Sequence, residues 1–127
     1  MKEIKRMTPE EAYAYLKGIS CNEAFKDEYP YAYVESERVM NEIHFVSVTT
    51  GCNRNVYIAL VIKDEKVISS CTQVLGNYNG YEIHLGDDGF IHETRSYGFG
   101  ERKCAVMDLE MNIISEESKQ SFGCCCN

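Results

Sequence analysis

From His44 onward the chain is a succession of strand-length runs rich in β-branched and aromatic residues. H-F-V-S-V-T-T, N-V-Y-I-A-L-V-I and K-V-I-S-S-C-T-Q-V-L follow one another between His44 and Leu75. Their side chains suit a pleated, half-buried surface. Lys63-Asp64-Glu65-Lys66 joins the second run to the third with the short polar link of a hairpin. Gly76 to Gly80 makes a turn before Tyr81-Glu82-Ile83-His84-Leu85, which alternates apolar and polar, and Asp87-Asp88-Gly89 turns the chain again into Phe90 to Tyr97. Ala105, Met107, Leu109 and Met111 read 103–114 as a further strand, although Val106, Leu109 and Ile113 also suit a helix. Consecutive strands with short links predict an antiparallel β-meander of about five to six strands.

The N-terminal part has a different period. Thr8-Pro9-Glu10-Glu11 combines a hydroxyl cap, proline at the first helical position and glutamate at the third, the pattern of a capping box. Ala12, Tyr15, Leu16 and Ile19 then share one helical face, and Gly18 suits the left-handed residue that ends a helix. Asn22 to Lys26 offers one more helical turn before Tyr29-Pro30-Tyr31 stops it. The expected class is α+β, with a short N-terminal helix packed on one face of the sheet. The 127 residues fit one compact domain. Its parts are a helical segment of about 8–42, a β segment of about 43–114 and a flexible tail of about 115–127.

Thirteen basic against twenty acidic side chains give a net charge of -7. That balance disfavours a duplex nucleic-acid binder, which needs many phosphate contacts. The sequence shows no apolar stretch of signal-peptide or membrane-span length, which predicts a cytoplasmic protein with no membrane partner. Seven cysteines occur at 21, 52, 71, 104, 124, 125 and 126, with no C-x-x-C pair. The odd count and isolated spacing fit neither a zinc ribbon nor a secreted disulfide scaffold, so most are expected to be reduced, with Cys71 and Cys104 as small core residues.

No complete catalytic constellation is legible. Cys52 sits on the loop T-T-G-C-N-R-N beside Arg54, which supplies positive potential, but no histidine lies within local reach. His92-Glu93-Thr94 has the H-x-T form of two-histidine phosphoesterases, yet neither His44-Phe45-Val46 nor His84-Leu85-Gly86 provides the second half. A zinc site from His84, His92 and a thiol is geometrically open. The carboxylate pairs sit mainly at caps and turns, where acids serve local structure. No catalytic residue, metal ligand or cofactor is assigned.

The segment Arg95-Ser96-Tyr97-Gly98-Phe99-Gly100-Glu101-Arg102-Lys103 gathers three basic residues around two aromatics in an acidic chain. Arginine holds phosphate or carboxylate through a planar fork, glycines admit backbone amides to a ligand, and an aromatic ring stacks on a base. If both loops lie at one end of the meander, the expected binding residues are Thr50, Arg54, Asn55, Arg95, Tyr97, Phe99, Arg102 and Lys103. The predicted function is a small, non-enzymatic, cytoplasmic protein that captures an anionic small molecule, nucleotides included. In size and charge alone it resembles sequestering or accessory proteins of phages and mobile elements. Two alternatives stand beside it: an acidic protein-protein inhibitor or nucleic-acid mimic, and an enzyme dependent on Cys52 or His92. An uncovered sheet face or edge predicts a homo-oligomer, with a dimer the expected form.

Overall fold

The structure, a computed structural model, describes residues 8–17, 32–49, 56–74, 80–97 and 100–120. Among these residues one helix, α1 (Pro9–Leu16), precedes eight strands: β1 (Tyr33–Met40), β2 (Ile43–Thr49), β3 (Val56–Lys63), β4 (Lys66–Val74), β5 (Gly80–Leu85), β6 (Ile91–Ser96), β7 (Glu101–Met107) and β8 (Ile113–Gln120). They form two antiparallel four-stranded sheets, β1-β2-β3-β4 and β5-β6-β7-β8, each a meander in chain order.

The capping box at the start of α1 is present in full. The Thr8 hydroxyl accepts from the Glu11 N–H, and the Glu11 carboxylate accepts from the Thr8 N–H, both at 3.2 Å. Two donors that the helix leaves without a carbonyl are thereby satisfied.

Strands β2 and β3 are buried almost throughout, because the sheet they centre is covered on both faces. Phe45, Tyr57, Ala59 and Val61 face the second sheet and pack with Tyr81, Ile83, Leu85, Ile91 and Met107. Val46, Val48, Ile58 and Leu60 point the other way and surround Ala12 of α1, which is fully buried. The layers therefore run α1, first sheet, second sheet.

The strand count is eight among the described residues, where five to six were expected. Tyr33–Met40 lies in the segment read as helical, and its alternation was hidden because β1 is a mostly exposed edge. The run read as one strand over 103–114 breaks at 108–112, where the Asp108 carboxylate accepts the N–H groups of Glu110 and Asn112 and Met111 takes a φ of 67°. This turn returns the chain as β8, through residues assigned above to a tail. The β1–β2 and β3–β4 links are two-residue turns, Asn41-Glu42 and Asp64-Glu65, with positive φ at all four positions. That is the backbone twist that joins adjacent antiparallel strands.

Candidate functional site

Side chains alternate along a strand, so Ile91, Glu93 and Arg95 of β6 all face the first sheet. Ile91 belongs to the core between the sheets. Two and four residues further on, the same face becomes charged. Glu93 is 5% exposed, and a carboxylate buried to that degree needs partners. The Tyr81 hydroxyl donates to its Oε2 at 2.5 Å, and the Arg95 guanidinium lies 3.1 Å from its Oε1. Arg95 also donates to the Gln73 side-chain oxygen at 3.2 Å, tying β6 to β4 across the sandwich. The Tyr57 and Tyr81 rings meet with centroids 4.9 Å apart and tilted by 48°.

Electrostatics follow from this burial. Burial first, and the Glu93 charge second, push the Cys71 thiol up to about 11. The same two causes push the Tyr81 phenol far above its ordinary value. Burial, with Glu35 contributing, also raises Tyr57. Both tyrosines and the thiol stay protonated at neutral pH. Cys71 is thus a small, partly buried side chain rather than an activated nucleophile.

Among the expected binding residues, register decides which meet. Arg95 stands directly opposite Lys103, and Ser96 opposite Arg102. Arg95 and Lys103 therefore share the inner face, while Arg102 points to the outer one. Lys103 binds the Glu116 carboxylate of β8 at 2.9 Å; that hydrogen bond and the Glu116 charge raise its pKa, with Tyr97 adding to the effect. Tyr97 is half-buried, and its main-chain N–H donates to the Glu101 carbonyl at 2.8 Å, closing the link between β6 and β7. Thr50, Arg54, Asn55 and Phe99 lie outside the described residues, as does Cys52. The expected convergence of their loop with the 95–103 segment lies outside them too.

Compared with known proteins, the chain matches no family model, no curated protein and no solved structure.

Two of the three histidines, His84 and His92, occupy the outer face of the second sheet, whereas His44 lies on β2 of the first. His84 and His92 are cross-strand partners whose rings stack at 5.5 Å, and the Asp88 carboxylate holds His92 Nε2 at 2.9 Å. Burial, then the neighbouring His92, lowers the His84 pKa. Thr94 of the H-x-T sequence shares this face, whereas Glu93 between them points inward to Tyr81 and Arg95. Among the described residues no group of three His, Cys, Asp or Glu is placed to hold a metal ion.

Two readings of the cysteines separate here. Cys71 is free, as expected. Cys104 is buried but disulfide-bonded, with its partner outside the described residues, which corrects its reading as a reduced core thiol. Spacing alone hid that bond, since pairing depends on which strands the fold brings together. No helix among the described residues is long and apolar enough to cross a membrane.

Sequence reasoning found Arg95 and missed Glu93, Tyr81 and Gln73. The signal was present for Glu93: it has the inward parity of Ile91 and is followed two positions later by an arginine of the same parity.

Proposed function

We propose that the protein is a small non-enzymatic binding protein that captures an anionic small molecule, nucleotides included, beside Arg95 and Lys103. One observation carries the reading. In the Arg95–Glu93 pair the guanidinium side chain is 25% exposed and the carboxylate 7% exposed, so the solvent-facing end of the pair is the positive one. Lys103 extends that positive edge by one strand.

The negative partner of Lys103 is exchangeable. Its bridge to Glu116 is between two side chains that are each more than a third exposed, and such surface pairs contribute little. An incoming phosphate or carboxylate replaces Glu116 at small cost, while Glu93 keeps Arg95 in place from behind. Tyr97, half-buried next to Lys103, supports the organic part of the ligand. Arg102, on the other face, has no part in this site. Capture without turnover makes the protein a sequestering or accessory factor.

Isothermal titration of inorganic phosphate and of mononucleotides and cyclic nucleotides tests the reading on three proteins that melt cooperatively. Glu116→Gln releases Lys103 and tightens binding relative to the wild type, whereas Lys103→Ala weakens it several-fold. Absence of binding across the panel at millimolar concentration, or one affinity shared by all three proteins, removes the proposal.

A further inference from the structure

β4 closes one edge of the first sheet: it pairs with β3, and no described strand lies on its other side. Such an edge presents a row of backbone donors and acceptors, and proteins ordinarily block it with charge or proline. Among the described residues, three of the four edge strands are blocked by charge. β1 carries Glu35, Glu37 and Arg38, β5 carries Glu82, and β8 carries Glu116 and Glu117. Between Lys66 and the end of β4 the sequence is V-I-S-S-C-T-Q-V, with neither a charge nor a proline.

The strand is also held ready for pairing. On its inner side the Ser69 hydroxyl donates to the Leu109 carbonyl at 2.5 Å, and Gln73 accepts from Arg95. On its outer side a groove of about 500 Å³ lies between α1 and β4, with Pro9 and Tyr13 on one wall and Val67, Ile68 and Ser70 on the other. Ile68 is 49% exposed. The Tyr13 hydroxyl, bonded to the Glu65 carbonyl, fixes the helical wall.

From this edge we infer that a second copy of the chain docks on β4, strand against strand and antiparallel, so that the two first sheets become one. Self-complementarity selects this occupant. A two-fold axis near Ser70 sets Ser69 opposite Cys71 of the other copy and Ile68 opposite its Thr72, up to the register shift that β4 makes against β3 at Ile68, so no like charges face each other. The same axis brings Thr72 of the second copy to the groove beside Pro9 and Tyr13. In a chain of net charge -7, this nearly neutral strand is where two copies approach with the least repulsion. Stable interfaces bury about 1,200–2,000 Å². Pairing along a single strand lies at or below the low end of that range, so the dimer is weak and depends on concentration.

Sedimentation equilibrium from micromolar to millimolar protein tests the inference, together with amide hydrogen exchange across β4. The wild type shifts from monomer to dimer, and alternate β4 amides slow as it does so. Thr72→Lys, at an exposed position of β4, stays monomeric while melting like the wild type. Ser115→Lys, exposed on the β8 edge, dimerises normally. A wild type that is monomeric throughout, a Thr72→Lys protein that still dimerises, or loss of dimer in Ser115→Lys alone overturns the inference. So does β4 protection that ignores concentration, or that appears only when a different protein is added.

Discussion

Arg95 and Lys103 face each other directly across the β6–β7 ladder, two cations on one sheet face, and each is answered by its own carboxylate. Like charges in that position repel unless such partners are supplied. The two answers differ in kind. Glu93 is buried and shared with Tyr81, whereas Glu116 is an exposed residue on an edge strand. One cation is therefore a structural part of the sandwich and the other is available for exchange.

That difference separates the stability effects of the two residues. Arg95→Ala leaves the Glu93 carboxylate buried without its cation, a loss of about 3–5 kcal/mol for a fully buried pair. The partly exposed guanidinium puts Arg95 toward the lower end. Lys103→Ala is expected to leave the urea midpoint close to the wild-type value. Adding Glu93→Gln to Arg95→Ala recovers part of the loss, because the unpaired charge goes too. Equal midpoints for Arg95→Ala and Lys103→Ala would show that Glu93 does not depend on Arg95.

Cys71 is expected to resist alkylation in the folded protein. With its pKa pushed to about 11 by burial and by Glu93, about one thiol in a thousand is ionised at pH 8, and the thiolate is the reactive form. Mass spectrometry of the Cys71 peptide after iodoacetamide treatment should show slow native labelling and fast labelling in urea. Equal rates in both conditions would contradict the burial argument.

The elements legible in the sequence are those whose signal is local. Thr8 and Glu11 announce α1 because a capping box is a contact between near neighbours. β2, β3 and β4 are legible because runs of β-branched residues mark strands whatever covers them. β1 and β8 were not, because their polar, exposed sequences carry no strong period. The division into two stacked sheets was also hidden, since the links within and between the sheets are equally short and polar. At the candidate site, residue type drew attention to Arg95 and Lys103. Only register shows that Arg102 turns away from them and that Glu93 belongs with them.

The helix cap gives a direct stability test. Thr8→Ala removes the acceptor for the Glu11 N–H and should cost about 0.5–2 kcal/mol. Because Ala12 is buried against Val46 and Leu60, the loss is transmitted to the whole domain rather than confined to fraying of α1. A fall in the urea midpoint with an unchanged slope is the expected result. An unchanged midpoint would mean that packing around Ala12 holds the helix without its cap.

The stacked histidines make stability depend on pH in a calculable direction. His84 titrates below its ordinary value of 6.5, because burial disfavours its charged form and His92 opposes a second charge beside it. Glu82 and Asp88 pull the other way without reversing the shift, and Arg38 reinforces it. An imidazole whose pKa is lowered on folding binds its proton more readily in the unfolded chain. Its contribution to stability is therefore complete above 6.5, declines as pH falls from there toward the folded pKa, and declines no further below it. Asp88, also lowered, mainly by the Phe90 N–H bond to its carboxylate, contributes its own loss only at more acid pH, as pH falls below its ordinary value of 3.8. Urea unfolding measured at intervals from about pH 7.5 to pH 5 should show stability falling with acidity in the wild type. His84→Gln keeps a polar side chain on the same face without a titrating group, so its curve should be flatter over that range. Parallel curves for the two proteins would show that His84 has the same proton affinity folded and unfolded, and that its stacking on His92 carries no electrostatic consequence.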